Sequence, residues 1–152
     1  MNQSLPSGYQ FKRGTGVDRA LLVRFMHLTY RELFPPQQDF AHLALTVEKY
    51  LSSNTPLWWV QSSAQTVACL WMGNAVDQVS GARYTHIFLL YVLPEHRQQG
   101  IAKALLQQAQ QWAKARGDRQ IGLQVFPHNQ PALNLYQRLG FQTHSLLMLK
   151  RF

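Results

Sequence analysis

The pattern of apolar and polar positions is clearest between residues 85 and 126. An unbroken apolar run at 87–93 has the length and composition of a strand covered on both faces. After a short polar turn, apolar residues recur at helical spacing from Ile101 to about Arg116, which predicts an amphipathic helix. A second strand-like run follows at 121–126. A strand, a crossover helix and a second strand predict two parallel strands.

The rest of the chain supplies strands and helices on both sides of this unit. Alternation predicts strands, a spacing of three to four predicts helices, and proline or glycine marks their ends. The predicted elements are a strand at 9–13, a helix from Thr15 or Asp18 to about Phe34, a helix from about Gln37 to Ser52, a hairpin of 57–61 and 66–72, a connection at 73–81, a central strand beginning at Tyr84, a helix from Asn129 to Gly140 and a closing strand at 143–149. The order β-α-α-β-β-β-α-β-α-β predicts an α/β fold, a central mixed sheet flanked by helices, in one domain of residues 1–152.

Composition favours a globular, cytoplasmic protein. The 152 residues suit one domain, and 46% apolar with 14% charged residues argue against a disordered chain. No apolar run approaches the length of a membrane span, and the N-terminal residues lack the features of a secretory signal, so we expect no membrane partner. Cys69 is the single cysteine, which excludes an internal disulfide and favours a buried, inert thiol.

The formal net charge of +8 makes nucleic acid binding the first function to consider. Residues 81–152 hold nine basic and two acidic residues, which is most of the excess. The basic residues are scattered, and no basic run is longer than the pair Lys150-Arg151. Because no basic and aromatic segment typical of RNA recognition accompanies them, we expect no nucleic acid partner. The six histidines show no paired ligand spacing, so we also expect no metal site.

The turn between the apolar run and the helix has the features of an anion-binding site. It reads Arg97-Gln98-Gln99-Gly100-Ile101-Ala102-Lys103. Gly100 and Ala102 leave room for a ligand to approach the backbone. The first amides of the following helix have no intrahelical acceptor, so they can bind an anion with the help of the helix dipole. A glycine-containing turn alone is a weak motif, because many strand–helix turns need small residues.

Two motifs with a fixed spacing carry a resemblance to a known family. They are Arg97-x-x-Gly100-x-Ala102 and Asn129-x-x-Ala132-x-x-x-Tyr136-x-x-x-Gly140-Phe141. Together they resemble the GNAT superfamily of acyl-CoA-dependent N-acyltransferases, whose order of elements agrees with the predicted one. The resemblance implies that acetyl-CoA is the cofactor, with a pyrophosphate that would account for part of the positive charge. The residues that it implies for cofactor binding are Leu90, Tyr91, Val92, Arg97, Gln98, Gln99, Gly100, Ile101, Ala102, Lys103, Asn129 and Tyr136.

The resemblance also implies catalytic roles. Tyr136 occupies the position of a tyrosine proposed to protonate the leaving thiolate, although it also belongs to the apolar face of its helix. An amide of the central strand, that of Tyr91 or Val92, would polarise the thioester carbonyl. Family members place a carboxylate shortly before the Leu-x-Val segment, but here no carboxylate precedes Leu90. His86 is the nearest titratable group, either as the base or as an ordinary strand-end histidine.

The acceptor site is less defined. Glu32 or Asp39 could act as a base through water, and the candidate acceptor-binding residues are Tyr30, Glu32 and Tyr84, with His144 as a further one. The chain has only seven acidic residues, and it carries the aromatic residues Trp58, Trp59 and Tyr84. This composition favours an acceptor that is not polycationic.

We expect an enzyme that transfers acetyl from acetyl-CoA to a primary amine of a small molecule or protein, by direct attack in a ternary complex. The alternatives are an acyl-CoA-binding sensor without turnover and, third, a basic nucleic-acid-binding domain. A homodimer would be common for the family.

Overall fold

The protein is built on a five-stranded sheet in the order β1-β2-β3-β4-β5. The computed structural model describes residues 5–152. The strands are β1 Tyr9–Arg13, β2 Leu57–Ser62, β3 Gln65–Val76, β4 Arg83–Val92 and β5 Ile121–Leu123. The pairs β1–β2, β2–β3 and β3–β4 are antiparallel, whereas β4 and β5 are parallel. The predicted α/β class with a mixed sheet is therefore confirmed.

Four helices flank the sheet, and local sequence explains where each begins or ends. They are α1 Arg19–Leu33, α2 His42–Tyr50, α3 Ile101–Arg116 and α4 Gln130–Arg138. A turn of 3-10 helix at Gly16–Asp18 leads into α1, and Thr15 and Asp18 form a capping box around it. Gly100 and Gly117, both in the left-handed region, bound α3. The predicted limits of α3 are confirmed.

Apolar residues pack on both faces of the sheet. The cluster formed with α1 and α2 includes Leu22, Phe25, Trp59, Trp71, Leu89 and Tyr91. The cluster formed with α3 includes Val60, Leu70, Met72, Ile87, Leu105 and Ala109. Burial on both faces explains the unbroken apolar run of β4. Cys69 is a fully buried core residue whose burial raises the pKa of the thiol, so it is suited to packing rather than to nucleophilic chemistry.

The predicted start of α2 and the predicted end of β3 were wrong. Helix α2 begins at His42 rather than near Gln37, because the Asp39 carboxylate accepts a 2.9 Å hydrogen bond from the amide of Ala41 and holds a turn there. Strand β3 continues to Val76, where a loop was predicted from residue 73. Its small and polar residues remain in the ladder because they pair with the first half of β4.

The predicted closing strand at 143–149 is absent from the described structure. The chain leaves α4 and forms no regular element from residue 141 onward. Leu146, Leu147, Met148 and Leu149 are all at least 75% exposed, since no other residue of the described range 5–152 covers them. Strand β5 also ends at Leu123 instead of residue 126, because it diverges from β4 there.

Candidate functional site

A cleft opens where the parallel strands β4 and β5 separate. Their pairing runs only from Thr85 opposite Ile121 to Ile87 opposite Leu123. Beyond this point the two strands diverge, which frees backbone groups that a continuous ladder would satisfy. The residues that line the cleft are Thr29, Tyr30, Leu33, Ile87, Phe88, Leu89, Leu90, Leu123, Gln124, Val125, Phe126, Asn129 and Tyr136.

A β-bulge places Phe88 in this cleft. Trp71 of β3 opposes Leu89, but its neighbour Met72 opposes Ile87, so Phe88 is an extra residue in β4. A bulge of this kind leaves one residue unpaired and re-aims its side chain. The ring of Phe88 lies over Gly73, where a Cβ atom would collide with it. Apolar periodicity gave no sign of this bulge.

The turn that leads into α3 has the geometry of an anion cradle. Gln98 and Gly100 have positive φ angles of 62° and 82°. The first helical bond is donated by the Ala104 amide to the Gly100 carbonyl at 3.0 Å, so the amides of 101–103 have no acceptor within the helix. A Cβ atom on Gly100 would meet nothing within 4 Å, so the space beside the turn is open. These features fit a bound phosphate group.

The side chain of Arg97 points toward α1 rather than into the cradle. Its Nε donates to the Val92 carbonyl at 2.8 Å, and its Nη2 donates to both Glu32 oxygens at 2.9 and 3.0 Å. Its guanidinium also lies 5.3 Å from the ring centroid of Tyr91. Arg97 therefore joins the cradle turn to the end of β4 and to α1, and it holds Glu32 outside the cleft lining.

A second contact ties the cradle turn to the first strand. The hydroxyl of Tyr9 lies 2.8 Å from Nδ1 of His96 and donates a 3.3 Å hydrogen bond to the side-chain oxygen of Gln99. Residues 9 and 96 are far apart in sequence, so periodicity could not reveal this contact. The turn is thus held from two sides, by β1 and by α1.

Helix α4 brings Asn129 and Tyr136 to the cleft. The Asn129 side chain accepts a 3.4 Å hydrogen bond from the amide of Ala132, so it caps the helix and lines the cleft at once. Burial raises the pKa of Tyr136 to about 12. Its phenol is therefore protonated across the neutral and mildly alkaline range, as a proton donor must be.

His86 lies outside the cleft lining but next to it. Its ring centroid lies 5.3 Å from that of Phe88 and 6.5 Å from that of Tyr84. Its Nδ1 is buried without a hydrogen-bond partner. Burial lowers the pKa of His86 below 6.5, so the imidazole is neutral at pH 7. His86 is therefore able to accept a proton but is displaced from the cleft by the ring of Phe88.

Of the residues expected to bind the acceptor, only Tyr30 lines the cleft. The ring of Tyr84 packs against Gly122, where a Cβ atom would come within 2.8 Å of it. Glu32 is paired with Arg97, as described above. His144 is exposed in the segment beyond α4. Trp59 is buried in the cluster on the α1 and α2 face of the sheet, and Trp58 packs on the opposite face, so neither tryptophan lines the cleft.

An aromatic cluster at the rim of the cleft was not anticipated. The Phe126 ring contacts the end of α1, with ring centroids 6.2 Å from Tyr30 of α1 and 4.8 Å from Phe34, which directly follows α1. The His128 ring meets the Phe34 ring edge-on with centroids 5.2 Å apart, and its Nε2 lies 3.0 Å from the Leu33 carbonyl. The cluster joins the end of α1 to the loop after β5. Its members are dispersed in sequence, and only the position of Tyr30 had been singled out.

Acidic and metal-binding side chains are scarce around the cleft. None of the cleft-lining side chains named above carries a carboxylate. Across residues 5–152, no group of three His, Cys, Asp or Glu side chains is placed to hold a metal ion. Over the same part of the chain, no helix combines the length and hydropathy needed to cross a bilayer.

Sequence comparison places the chain among acetyltransferases. The model of the acetyltransferase (GNAT) family matches residues 22–141. N-acetyltransferase 8F1 of Rattus norvegicus is 32% identical over 110 residues, which are 72% of this chain and 50% of that protein. An aminoglycoside N(6')-acetyltransferase type 1 of Salmonella typhimurium is 27% identical over 74% of this chain and 79% of its own length. The chain spans about half the length of the rat relatives that it matches.

Structural comparison gives the same fold. The aminoglycoside acetyltransferase AAC(6')-Iy, solved with a bisubstrate analogue of CoA, has a TM-score of 0.71 and 22% identity, with 96% of this chain and 99% of that chain covered. A protein of Clostridium acetobutylicum that is described as a predicted acetyltransferase and was solved with acetyl-CoA has a TM-score of 0.76 and 23% identity, with 93% of this chain and 96% of that chain covered. At these identities the likeness establishes the fold.

Proposed function

Because this chain belongs to the GNAT acetyltransferase family, we propose that it is an acetyl-CoA-dependent N-acetyltransferase acting on a primary amine of a small molecule or a protein. The observation that carries the proposal is the cleft between β4 and β5, which is lined by the protonated phenol of Tyr136. The free amides at the start of α3, which follows β4 along the chain, support it. Residues 1–152 would act as one domain.

Cofactor binding would rest mainly on backbone groups. The amides of 101–103, together with the turn at Gln98, Gln99 and Gly100, would hold the pyrophosphate, with added charge from Lys103. The diverging backbone of Leu90 would face the pantetheine arm. Arg97 would act by fixing the turn, since its guanidinium is already engaged by Val92 and Glu32. Asn129 would shape the wall opposite β4.

Acetyl-CoA supplies a thioester-activated acetyl group to be transferred to the amine. Tyr136 would hold the proton that the departing sulfur requires, and its raised pKa keeps that proton in place until a thiolate develops nearby. A backbone amide of β4, that of Tyr91 or Val92, would stabilise the carbonyl oxygen. Direct attack in a ternary complex requires no nucleophilic side chain, and buried Cys69 suits that route.

The amine must lose a proton, and the cleft offers no carboxylate to take it. His86 is a neutral imidazole beside Phe88, and a water molecule reaching past Phe88 would connect it with the acceptor. The carboxylates of Glu32 and Asp39 are engaged by Arg97 and by the amide of Ala41, which makes them weaker candidates for the same role.

The lining also bears on the class of acceptor. Polycationic amines are held by carboxylates, whereas this cleft presents aromatic rings and no acidic side chain. We therefore favour an acceptor whose amine is attached to an apolar or aromatic body. The aromatic rim of Tyr30, Phe34 and Phe126 would contact that body. Aminoglycosides, the substrates named for some relatives, would be poor acceptors here.

The remaining expectations concern partners and location. We propose a homodimer that works in the cytoplasm, with no nucleic acid or membrane partner. The single, buried cysteine suits a reducing compartment. Retention on DNA or flotation with lipid vesicles at physiological salt would contradict the expectation about partners.

Calorimetric titration with acetyl-CoA, followed by measurement of thiol release with a panel of amines, tests the proposal. The expected result is saturable binding and amine-dependent thiol release. Saturable binding without thiol release on any amine would favour the alternative, an acyl-CoA sensor. An absence of binding would refute both hypotheses.

A further inference from the structure

Glu32 lies on α1, but its carboxylate is bound by a residue of the cofactor side. Both of its oxygens accept hydrogen bonds from Nη2 of Arg97, at 2.9 and 3.0 Å. Arg97 is the first residue of the cradle turn, which comprises residues 97–100 ahead of α3. The sequence alone suggested that Glu32 binds the acceptor or acts as a base. Because both oxygens are engaged by Arg97, the structure indicates a different role.

The guanidinium of Arg97 is held from two elements at once. Its Nε donates to the carbonyl of Val92, the last residue of β4, at 2.8 Å. It also lies 5.3 Å from the ring centroid of Tyr91. A guanidinium is planar and its donors have fixed directions, so the bonds to Val92 and to Glu32 together define where the group lies. Since the side chain is fixed, the backbone of Arg97 at the start of the cradle turn is restrained as well.

The ion pair contributes little to folding stability. The side chains of Arg97 and Glu32 are 39 and 43% exposed, and pairs this exposed are weakened by water and salt. The larger consequence concerns the conformation of the cradle turn. Gln98, next to Arg97, has a φ angle of 62°, in the left-handed region that residues other than glycine seldom adopt. A restrained Arg97 helps to hold that conformation before a ligand binds, which reduces the cost of binding.

The end of α1 that carries Glu32 also forms one side of the cleft. Tyr30 and Leu33, which lie near Glu32 in the last turns of α1, line the cleft. The carbonyl of Leu33 lies 3.0 Å from Nε2 of His128, in the loop after β5. The end of α1 is thus connected to the cradle turn through Glu32 and to the loop after β5 through Leu33. A shift of the cradle turn therefore acts on the residues proposed to contact the acceptor.

We propose that Glu32 is a positioning residue of the cradle turn. Through Arg97 it holds the turn in the conformation that binds the pyrophosphate of CoA, and it couples this turn to the acceptor side of the cleft. The role rests on the proposed function for the identity of its ligand, CoA. CoA bound to the turn would order the end of α1, and an acceptor bound there would raise the affinity for CoA by the same factor.

Calorimetric titration of Glu32→Gln with CoA separates this role from an effect of charge. Removal of a negative charge near a pyrophosphate should by electrostatics alone strengthen CoA binding. Loss of the bridge to Arg97 should instead weaken it by about 5–10-fold, the lower range of coupling between sites. Glu48→Gln is the matched control, because Glu48 is an exposed carboxylate of α2 and its variant has the same change of charge. The control should bind CoA at least as tightly as the wild type. Unchanged or tighter binding by Glu32→Gln would overturn the proposal.

Arg97→Lys tests whether the effect of Glu32 passes through Arg97. Lysine keeps the positive charge, but its single nitrogen lacks the fork of donors that reaches Val92 and Glu32 together. The variant should weaken CoA binding about as much as Glu32→Gln. The double variant Glu32→Gln/Arg97→Lys should bind no more weakly than either single variant, because both changes remove the same bridge. Fully additive losses would mean that the two residues act separately and would reject the proposal.

Hydrogen exchange of the full chain measures the coupling to α1 without an acceptor. Saturating CoA should slow the exchange of the amides of residues 30–34 in the wild type. The added protection should be lost in Glu32→Gln at a CoA concentration that saturates both proteins. Equal added protection in both would contradict the coupling. Wild-type affinity for CoA in Glu32→Gln rejects only the role of Glu32, whereas a wild type that binds no CoA would refute the proposed function as well.

Discussion

The ring of Phe88 lies over Gly73 of the neighbouring strand, in the space where any side chain at that position would stand. The two residues meet because the bulge in β4 puts Phe88 out of register with β3. Glycine interrupts strands where another group approaches the backbone closely, and here that group is an aromatic ring. The contact fixes Phe88 in the wall of the cleft, so the geometry of the cleft depends on Gly73.

Gly73→Ala should therefore disturb both stability and cofactor binding. The new methyl group collides with the Phe88 ring, and overpacking of this kind costs about 1–3 kcal/mol of unfolding free energy. Denaturant unfolding and acetyl-CoA titration measure the two effects. Adding Phe88→Leu should recover most of the lost stability, because the pair is coupled. If the single and the double variant lose the same amount of unfolding free energy, the collision with Phe88 is not the cause of the loss.

Gly100→Val should abolish binding of acetyl-CoA while the chain remains folded. The valine side chain would enter the open space beside the free amides of α3, and the positive φ would add a strain of roughly 1–2 kcal/mol. Gly117→Val is the matched control, because Gly117 has a similar φ at the other end of α3 and an equally open Cβ direction. Both variants should lose similar stability, and only the first should lose affinity. Unchanged affinity in Gly100→Val would reject the cradle.

Tyr136→Phe should lower kcat about 100-fold with little change in the affinity for acetyl-CoA, as expected when a proton donor is lost. The phenol is the group with a pKa raised to about 12, so it stays a donor throughout the pH range of an assay. Steady-state kinetics and calorimetry separate the two parameters. Tyr84→Phe is a useful comparison, since Tyr84 lies outside the cleft and its variant should keep wild-type turnover. A Tyr136→Phe enzyme with normal kcat would leave Tyr136 as a packing residue.

His86 should make the protein less stable in mild acid. Burial lowers its pKa below 6.5, so the unfolded chain takes up the proton at a higher pH than the folded one. The unfolding free energy should be highest above pH 6.5 and fall as the pH drops below it. Denaturant unfolding at pH 7.5 and 5.5 should show a smaller difference for His86→Gln than for wild type. His42→Gln, on the exposed side of α2, serves as the control and should keep the wild-type difference between the two pH values. A His86→Gln variant whose unfolding free energy changes with pH as much as that of the wild type would contradict the assignment.

Much of the fold is predictable from the sequence, because the apolar periodicity agrees with the residues that begin and end each element. Helix α3 was predicted at its observed bounds, since a clear apolar stripe lies between two glycines with left-handed backbone. The parallel pairing of β4 and β5 followed from the crossover. The position of the turn that leads into α3 followed from the glycine before the helix, whereas its binding of a phosphate group stays a prediction. Each of these features is set by residues close together in sequence.

The features that were missed depend on distant residues. The bulge at Phe88 arises from its packing on Gly73, and the orientation of Arg97 arises from Glu32 on α1. The apolar pattern of 143–149 does favour a strand, but a strand needs a partner edge, and within residues 5–152 this segment pairs with no strand of the sheet. Apolar pattern alone does not report whether a partner edge is within reach.

The most direct test of the proposed function is the fate of the acetyl group. The chain is incubated with acetyl-CoA and a panel of amines that includes aromatic amines, amino acids, a lysine peptide and an aminoglycoside, and the products are identified by mass spectrometry. We expect an N-acetylated amine in an amount equal to the thiol released, with apolar or aromatic amines acetylated faster than the aminoglycoside. Thiol release without an acetylated amine, or bound acetyl-CoA that no amine consumes, would contradict it.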